Sequence, residues 1–268
     1  MTVQDLIKRY MRSNVSNAPL TLKKKRIAAD EFIGAFGNVK VDDLTIDRIN
    51  QWIRRKQKSV SNAYLNSLLA ILRHVLRFGI ENAMIENAPG LKVKKLPEER
   101  KLRKGYTACE FKRLQSHAAG LEKEYLICLW HSMARVSEIN RLRWEQVDFE
   151  QRRVLLGNGG SRTKLAGYIP MNKELERSLK RVARQNGGEP YVFNFKDKRK
   201  WFRALHEKAG VEYRGFHGLR RGSATVVLQK GANIAAISKC LRHQRISTTQ
   251  VYLGVSDQEL EETMNLLL

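Results

Sequence analysis

The chain is poor in the residues that cross-link or chelate. Its three cysteines, Cys109, Cys128 and Cys240, are odd in number, far apart and never in a Cys-x-x-Cys pair. That excludes a disulfide framework or a zinc knuckle and suits a reducing compartment. Cys128 lies inside an apolar run and reads as core packing. The six histidines form no cluster with metal-ligand spacing. No apolar stretch approaches the ~20 residues of a spanning helix, and the N-terminus lacks the apolar core of a signal peptide. The expected setting is the cytoplasm, with no membrane partner, no metal and no cofactor. Acidic residues are scarce as well: 27 Asp and Glu face 50 Lys and Arg, a net charge of +23. Such an excess repels itself in a folded chain, so a polyanionic partner is expected over a merely soluble basic protein. Internal repeats and low-complexity segments are absent.

What is present is periodic. With 268 residues and 42% hydrophobic content, the chain can build one large domain or two ordinary ones. Residues 1–88 read as a helical bundle. Val3, Leu6, Ile7, Tyr10 and Met11 share one helical face, with Thr2 as a cap. A second helix runs from Thr21 to Gly37. A third is capped by Thr45 and carries Ile46, Ile49, Trp52 and Ile53. A fourth starts near Ser61, with Leu65, Leu68, Leu69, Leu72, Leu76 and Ile80 at helical spacing. Ala88-Pro89-Gly90 stops it. Residues 89–106 then read as an exposed basic linker, crowded with Lys92, Lys94, Lys95, Arg100, Lys101, Arg103 and Lys104. Its two readings are a solvated hinge and a strap along a phosphate backbone.

A second domain, 107–268, opens with a Thr107/Glu110 capping box. An apolar helix spans about Leu121 to Met133 and puts Arg135 at its end. Short strands follow at Val147–Phe149, Val154–Leu156 and Tyr168–Ile169, with a hairpin signal at Gly157-Asn158-Gly159-Gly160-Ser161. Helices return at 172–186, 198–208, 218–230, 234–241 and 248–252. The expected fold is mostly α with a small antiparallel β-sheet, in two domains.

Several residues in this second domain carry chemistry, and each has a plainer reading beside it. Arg135 alone reads as a surface ion pair with Glu138. His217 reads as a capping or packing residue, His243 as an imidazole capping a helix C-terminus, and Tyr252 as a packing tyrosine. Either Arg220 or Arg221 could hold an anion. Together, two arginines with planar donor forks, two imidazoles and a hydroxyl nucleophile suggest attack on a phosphodiester.

Residues from about 107 to 255 resemble the catalytic domain of the tyrosine recombinases, the phage integrase family. Ala134-Arg135-Val136-Ser137-Glu138 is similar to the first arginine box and His217-Gly218-Leu219-Arg220 to the second. His243 after Leu241-Arg242 resembles the position before the nucleophile, and Val251-Tyr252-Leu253-Gly254 resembles the nucleophile itself. Residues 1–88 resemble the family's helical core-DNA-binding domain, and 107–268 would be an α+β catalytic domain with a C-terminal tail.

By this resemblance Arg135 and Arg220 would hold nonbridging oxygens of the scissile phosphate. The family spacing after the histidine selects Arg220 over Arg221. His217 would handle the tyrosine proton or bond the phosphate, His243 would be a second phosphate donor, and Tyr252 would attack. The family has glycine before the last histidine; Arg242 stands there instead, adding a phosphate contact or altering the backbone. A lysine on the β-hairpin is the family's general acid. Counting back from Pro170 reaches Arg162, with Lys164 two residues nearer. Arginine is a poor proton donor, which favours Lys164 and leaves Arg162 as a phosphate ligand.

The implied activity is site-specific recombination of double-stranded DNA through a 3′-phosphotyrosyl intermediate, without metal or ATP. The alternatives are a type IB topoisomerase-like enzyme and a non-catalytic DNA-binding regulator. A homotetramer on paired sites is implied, weakly associated or monomeric without DNA, with accessory DNA-bending proteins as an open addition. The tail, with Leu260, Met264, Leu267 and Leu268, either packs on its own domain or docks on a neighbouring protomer.

Overall fold

The computed structural model describes residues 1–13, 18–98, 104–157, 166–186, 188–195 and 198–243. Its contacts divide the chain into two compact units, Met1–Lys101 and Leu102–Leu268. The expected helix at 248–252, most of the hairpin turn and the tail lie outside the described residues.

The first unit is helical. Helices α1 (Val3–Ser13), α2 (Pro19–Phe36), α3 (Ile46–Lys56) and α4 (Asn62–Glu81) pack on one another. Side-chain caps fix their starts: Thr45 accepts from the Arg48 N–H and Ser61 from the Tyr64 N–H. Proline opens α2, where its missing donor costs nothing. Apolar faces converge on Leu6, Phe32, Leu44, Ile49 and Leu65, all fully buried, and the Phe32 and Trp52 rings meet with centroids 5.3 Å apart.

In residues 89–98 the lysines Lys92, Lys94 and Lys95 are exposed, while the backbone is held against the first unit. Pro89–Lys92 form a 3-10 turn, and Val93 is buried. The Asn66 side chain on α4 pairs with the backbone of Leu96 in both directions, each bond 2.9 Å, and its amide also reaches Glu98 at 2.6 Å. Arg73 donates to the Val93 carbonyl at 2.6 Å. A buried amide that satisfies a passing strand holds it as a ladder would, so this stretch belongs to the first unit.

The second unit is built around α6 (Gly120–His131), whose residues from Glu124 to Trp130 are all buried. Seven consecutive buried residues span every face of a helix, so it must be covered all round. Its neighbours include α5 (Ala108–His117), α7 (Val136–Ile139), α8 (Lys173–Asn186) and α10 (Phe216–Gln229); α9 (Lys198–Ala209) packs on α5, and α11 (Ile234–Leu241) packs on α10. Three short strands form an antiparallel sheet in the order β1 (Val147–Asp148), β2 (Arg153–Leu156), β3 (Gly167–Pro170), with Val154 opposite Ile169 and Leu156 opposite Gly167.

The start of this unit is set against α10 at very short range. The Tyr106 N–H donates to the Gly218 carbonyl at 3.2 Å, and its hydroxyl accepts from the Arg214 N–H at 2.7 Å. Gly222 allows the approach: a Cβ there would overlap the Tyr106 carbonyl oxygen and stand 2.7 Å from its nitrogen. Burial raises the Tyr106 phenol well above its ordinary pKa.

Candidate active site

Arg135 does not end a helix. Helix α6 stops at His131, and Met133 turns the chain through the left-handed region with φ 49°. The Ser132 hydroxyl stabilises this break by accepting from the Ala134 N–H at 3.2 Å. Arg135 therefore falls at the N-cap of α7, where the Glu138 carboxylate returns to its backbone N–H at 2.7 Å.

That break has a second effect. It leaves the Met133 carbonyl outside any helix, and Arg220 Nη1 donates to it at 2.6 Å. Arg220 Nη2 donates to the Leu241 carbonyl and lies 3.2 Å from His243 Nε2. Arg220 is only 4% exposed although it is a cation. The two carbonyls hold its guanidinium plane in place, which is the geometric requirement for a phosphate ligand. Arg221, the other candidate by sequence alone, is only half-buried.

His243 follows α11, whose last turn carries its N–H to the Ser238 carbonyl at 3.1 Å. A guanidinium has no acceptor, so at 3.2 Å from Arg220 the Nε2 of His243 is the accepting nitrogen. Burial, and then the charges of Arg220, Arg135 and Arg242, lower its pKa to about 4. At neutral pH it is an uncharged imidazole with its proton on Nδ1.

Glu138 is the only carboxylate bonded into this set among the described residues. Its Oε1 accepts from Arg135 Nη1 at 2.9 Å, and its Oε2 accepts from Arg242 Nη2 at 2.6 Å. The pair is no surface ion pair: the Arg135 and Glu138 side chains are 17% and 6% exposed. Burial pushes the Glu138 carboxyl up, but the Arg242 charge and the bonds from Arg135 outweigh it, so the net shift is downward. Arg242, with a side chain 3% exposed, holds Glu138 rather than presenting a charge to solvent. Among the described residues, three guanidiniums meet one carboxylate in this cluster.

His217 lies in the first turn of α10, exposed and one turn before Arg220. Lys164, Arg162 and Tyr252 lie outside the described residues. Sequence reasoning flagged Arg242 as a departure but missed its partner. Glu138 carried a signal, since it stands three residues after Arg135, but its second partner is Arg242, 104 residues away.

The phage integrase family model matches residues 106–259. Among curated proteins, the chain is 30% identical to the tyrosine recombinase XerA of Pyrococcus horikoshii over 235 residues, 81% of this chain and 78% of that protein. It is 29% identical to XerA of Thermococcus kodakarensis over 223 residues, 77% of this chain and 76% of that one. Among solved structures, the Tn1549 transposon integrase in complex with circular intermediate DNA superimposes with a TM-score of 0.82 at 18% identity, covering 98% of this chain and 99% of that one. A lambda integrase dimer bound to a COC′ core site gives 0.79 at 14% identity, covering 94% and 77%. The chain belongs to the phage integrase family, the family of the tyrosine recombinases.

Proposed function

We propose that this tyrosine recombinase cleaves and rejoins double-stranded DNA with Tyr252 as nucleophile and Arg135, Lys164, His217, Arg220 and His243 as its catalytic partners. The observation that carries this reading is the convergence of Arg135, Arg220 and His243 from three separate segments on one positively charged cluster, with Arg220 buried and Arg135 and His243 partly exposed. Fixed guanidinium donors of this kind stabilise the charge that develops on a scissile phosphate.

In this scheme Arg135 and Arg220 hold the nonbridging oxygens. The Tyr252 oxygen attacks phosphorus and passes its proton toward His217. The phosphorus–O5′ bond breaks, and the leaving oxygen takes a proton from Lys164. The tyrosine is left bonded to the 3′-phosphate, and a 5′-hydroxyl from a partner duplex reverses each step. His243, neutral before binding, gains a proton more readily once the phosphate offsets the guanidiniums around it. Neither metal nor ATP enters the scheme.

Most of the binding affinity comes from phosphate contacts, in keeping with the net charge of +23. We assign the reaction to a homotetramer on paired sites in the cytoplasm; the three cysteines are free, in line with a reducing compartment. The domain assignment that goes with this is a core-DNA-binding bundle ahead of the catalytic domain. Among the described residues, no helix is long and apolar enough to cross a membrane.

The test is covalent capture. Protein is mixed with sheared DNA from its source and quenched with detergent, and protein-linked fragments are sequenced, with Tyr252→Phe in parallel. Linked fragments from the wild type alone are expected. Equal background from both proteins would overturn the nucleophile assignment.

A further inference from the structure

Arg242 ends α11 in the left-handed region, with φ 52° and ψ 48°. Glycine adopts this conformation freely and residues with a Cβ do so less often, so the contacts of the arginine side chain bear on how this turn is held. The side chain is 3% exposed, which rules out a free surface cation. Its Nη1 donates to the Cys240 carbonyl at 2.9 Å and its Nη2 to Glu138 Oε2 at 2.6 Å. The Glu138 Oε2 atom also takes the Arg135 backbone N–H, while Oε1 takes the Arg135 guanidinium. The Arg242 Cδ and Cγ atoms lie 3.6 and 3.7 Å from where a Cβ on Gly167 would stand. Gly167 is the first residue of β3. One side chain thus bonds the Arg135 segment and the backbone beside His243, and it passes the open side of Gly167 on the strand leaving the hairpin.

We propose that Arg242 is a positioning residue for the phosphate site: it fixes the Glu138 carboxylate that orients the Arg135 guanidinium, and locks that orientation to the backbone next to His243. The role assigned to Arg242 is positioning and not phosphate binding, because the side chain is buried and its Nη1 and Nη2 point to the Cys240 carbonyl and Glu138, which leaves its Nε without a partner among the described residues. Its charge instead adds to the field that keeps His243 neutral in the free protein. The proposal rests on Arg135 being a phosphate ligand.

The test compares the full chain with Arg242→Gly, Arg242→Lys, Glu138→Gln and Arg242→Gly combined with Glu138→Gln, on a duplex carrying the site recovered by covalent capture. Two quantities are read: the rate of adduct formation at saturating DNA, and the DNA concentration giving half that rate. A displaced arginine costs rate, so Arg242→Gly should be slower by about tenfold or more. Half-saturation should stay within about twofold, since many other phosphate contacts remain. Arg242→Lys should recover part of the rate, and the combined variant should be no slower than Glu138→Gln alone, because both substitutions act through one carboxylate. A rate for Arg242→Gly equal to the wild type would overturn the proposal. So would a raised half-saturation at unchanged maximal rate, or effects that multiply in the combined variant. Should Arg242→Gly not fold, Arg242→Lys decides: a reduced rate at unchanged half-saturation supports positioning, and an unchanged rate overturns it. If the wild type itself forms no more adduct than Tyr252→Phe, the recombinase reading falls and the proposal with it; adduct from the wild type and equally from Arg242→Gly sinks the proposal alone.

Discussion

Glu138→Ala should destabilise the second unit far more than a surface carboxylate would. The Glu138 side chain is 6% exposed and accepts three hydrogen bonds, two from Arg135 and one from Arg242. Removing it leaves the Arg242 guanidinium, 3% exposed, without a counter-charge and facing Arg135. Breaking a buried pair by deleting one partner costs about 3–5 kcal/mol, most of it the cost of the stranded charge. For a unit of this size that is a fall in melting temperature of roughly 10 °C. Tryptophan fluorescence is a fitting probe, since Trp130, Trp144 and Trp201 lie in the second unit and only Trp52 in the first. Urea titration followed at those tryptophans gives the midpoint and slope.

The same experiment has a pH signature. The Glu138 carboxyl is held below its ordinary value of 4.5, so the folded state favours its ionised form. The stabilisation is complete above that ordinary value and is lost as pH falls through the depressed value in the folded protein. The gap between wild type and Glu138→Ala should be full near neutrality and narrow in acid. His243 titrates in both proteins and does not create the gap. A midpoint unchanged by Glu138→Ala at neutral pH, or a gap that widens in acid, would refute the reasoning.

Three further outcomes are expected. Gly222→Ala places a methyl group on the Tyr106 carbonyl, and overpacking of this kind costs about 1–3 kcal/mol despite alanine's better helix propensity; a lowered urea midpoint for the second unit checks it, and an unchanged one contradicts the contact. The His243 imidazole should titrate near pH 4 in the free protein by NMR and shift upward when DNA is bound, because phosphate offsets the surrounding guanidiniums; a free-protein value at the ordinary 6.5 would contradict the cluster. Lys164→Ala should slow cleavage much more than Arg162→Ala, and a 5′-thiolate leaving group, which needs no proton, should restore it. Rescue of neither variant removes the general-acid assignment.

The local features of this fold were legible in the sequence. Apolar spacing from Leu65 to Leu76 marked α4, the capping signals at Thr45, Ser61 and Thr107 marked helix starts, and the alternation at Val154 and Ile169 marked two paired strands. What escaped was set by contacts between distant residues. The break before Arg135 has no glycine or proline to announce it; it depends on Ser132 and on Met133 in the left-handed region. Residues 93–98 look like a solvated basic linker, yet Asn66, thirty residues earlier, binds Leu96 from both sides. At the proposed site, motif spacing singled out Arg135, Arg220 and His243, and the structure brings these three near one another. The burial of Glu138 was not, because its second partner, Arg242, comes from the far end of the unit and occupies a backbone conformation that glycine would ordinarily take.

The central claim is that Tyr252 forms the covalent bond to DNA, and mass spectrometry of the adduct tests it most directly. The adduct is trimmed with nuclease, the protein digested, and the modified peptide sequenced. A nucleotide joined through its 3′-phosphate to the Tyr252 oxygen is the predicted result. A nucleotide on another side chain, or one joined through a 5′-phosphate, would contradict the account.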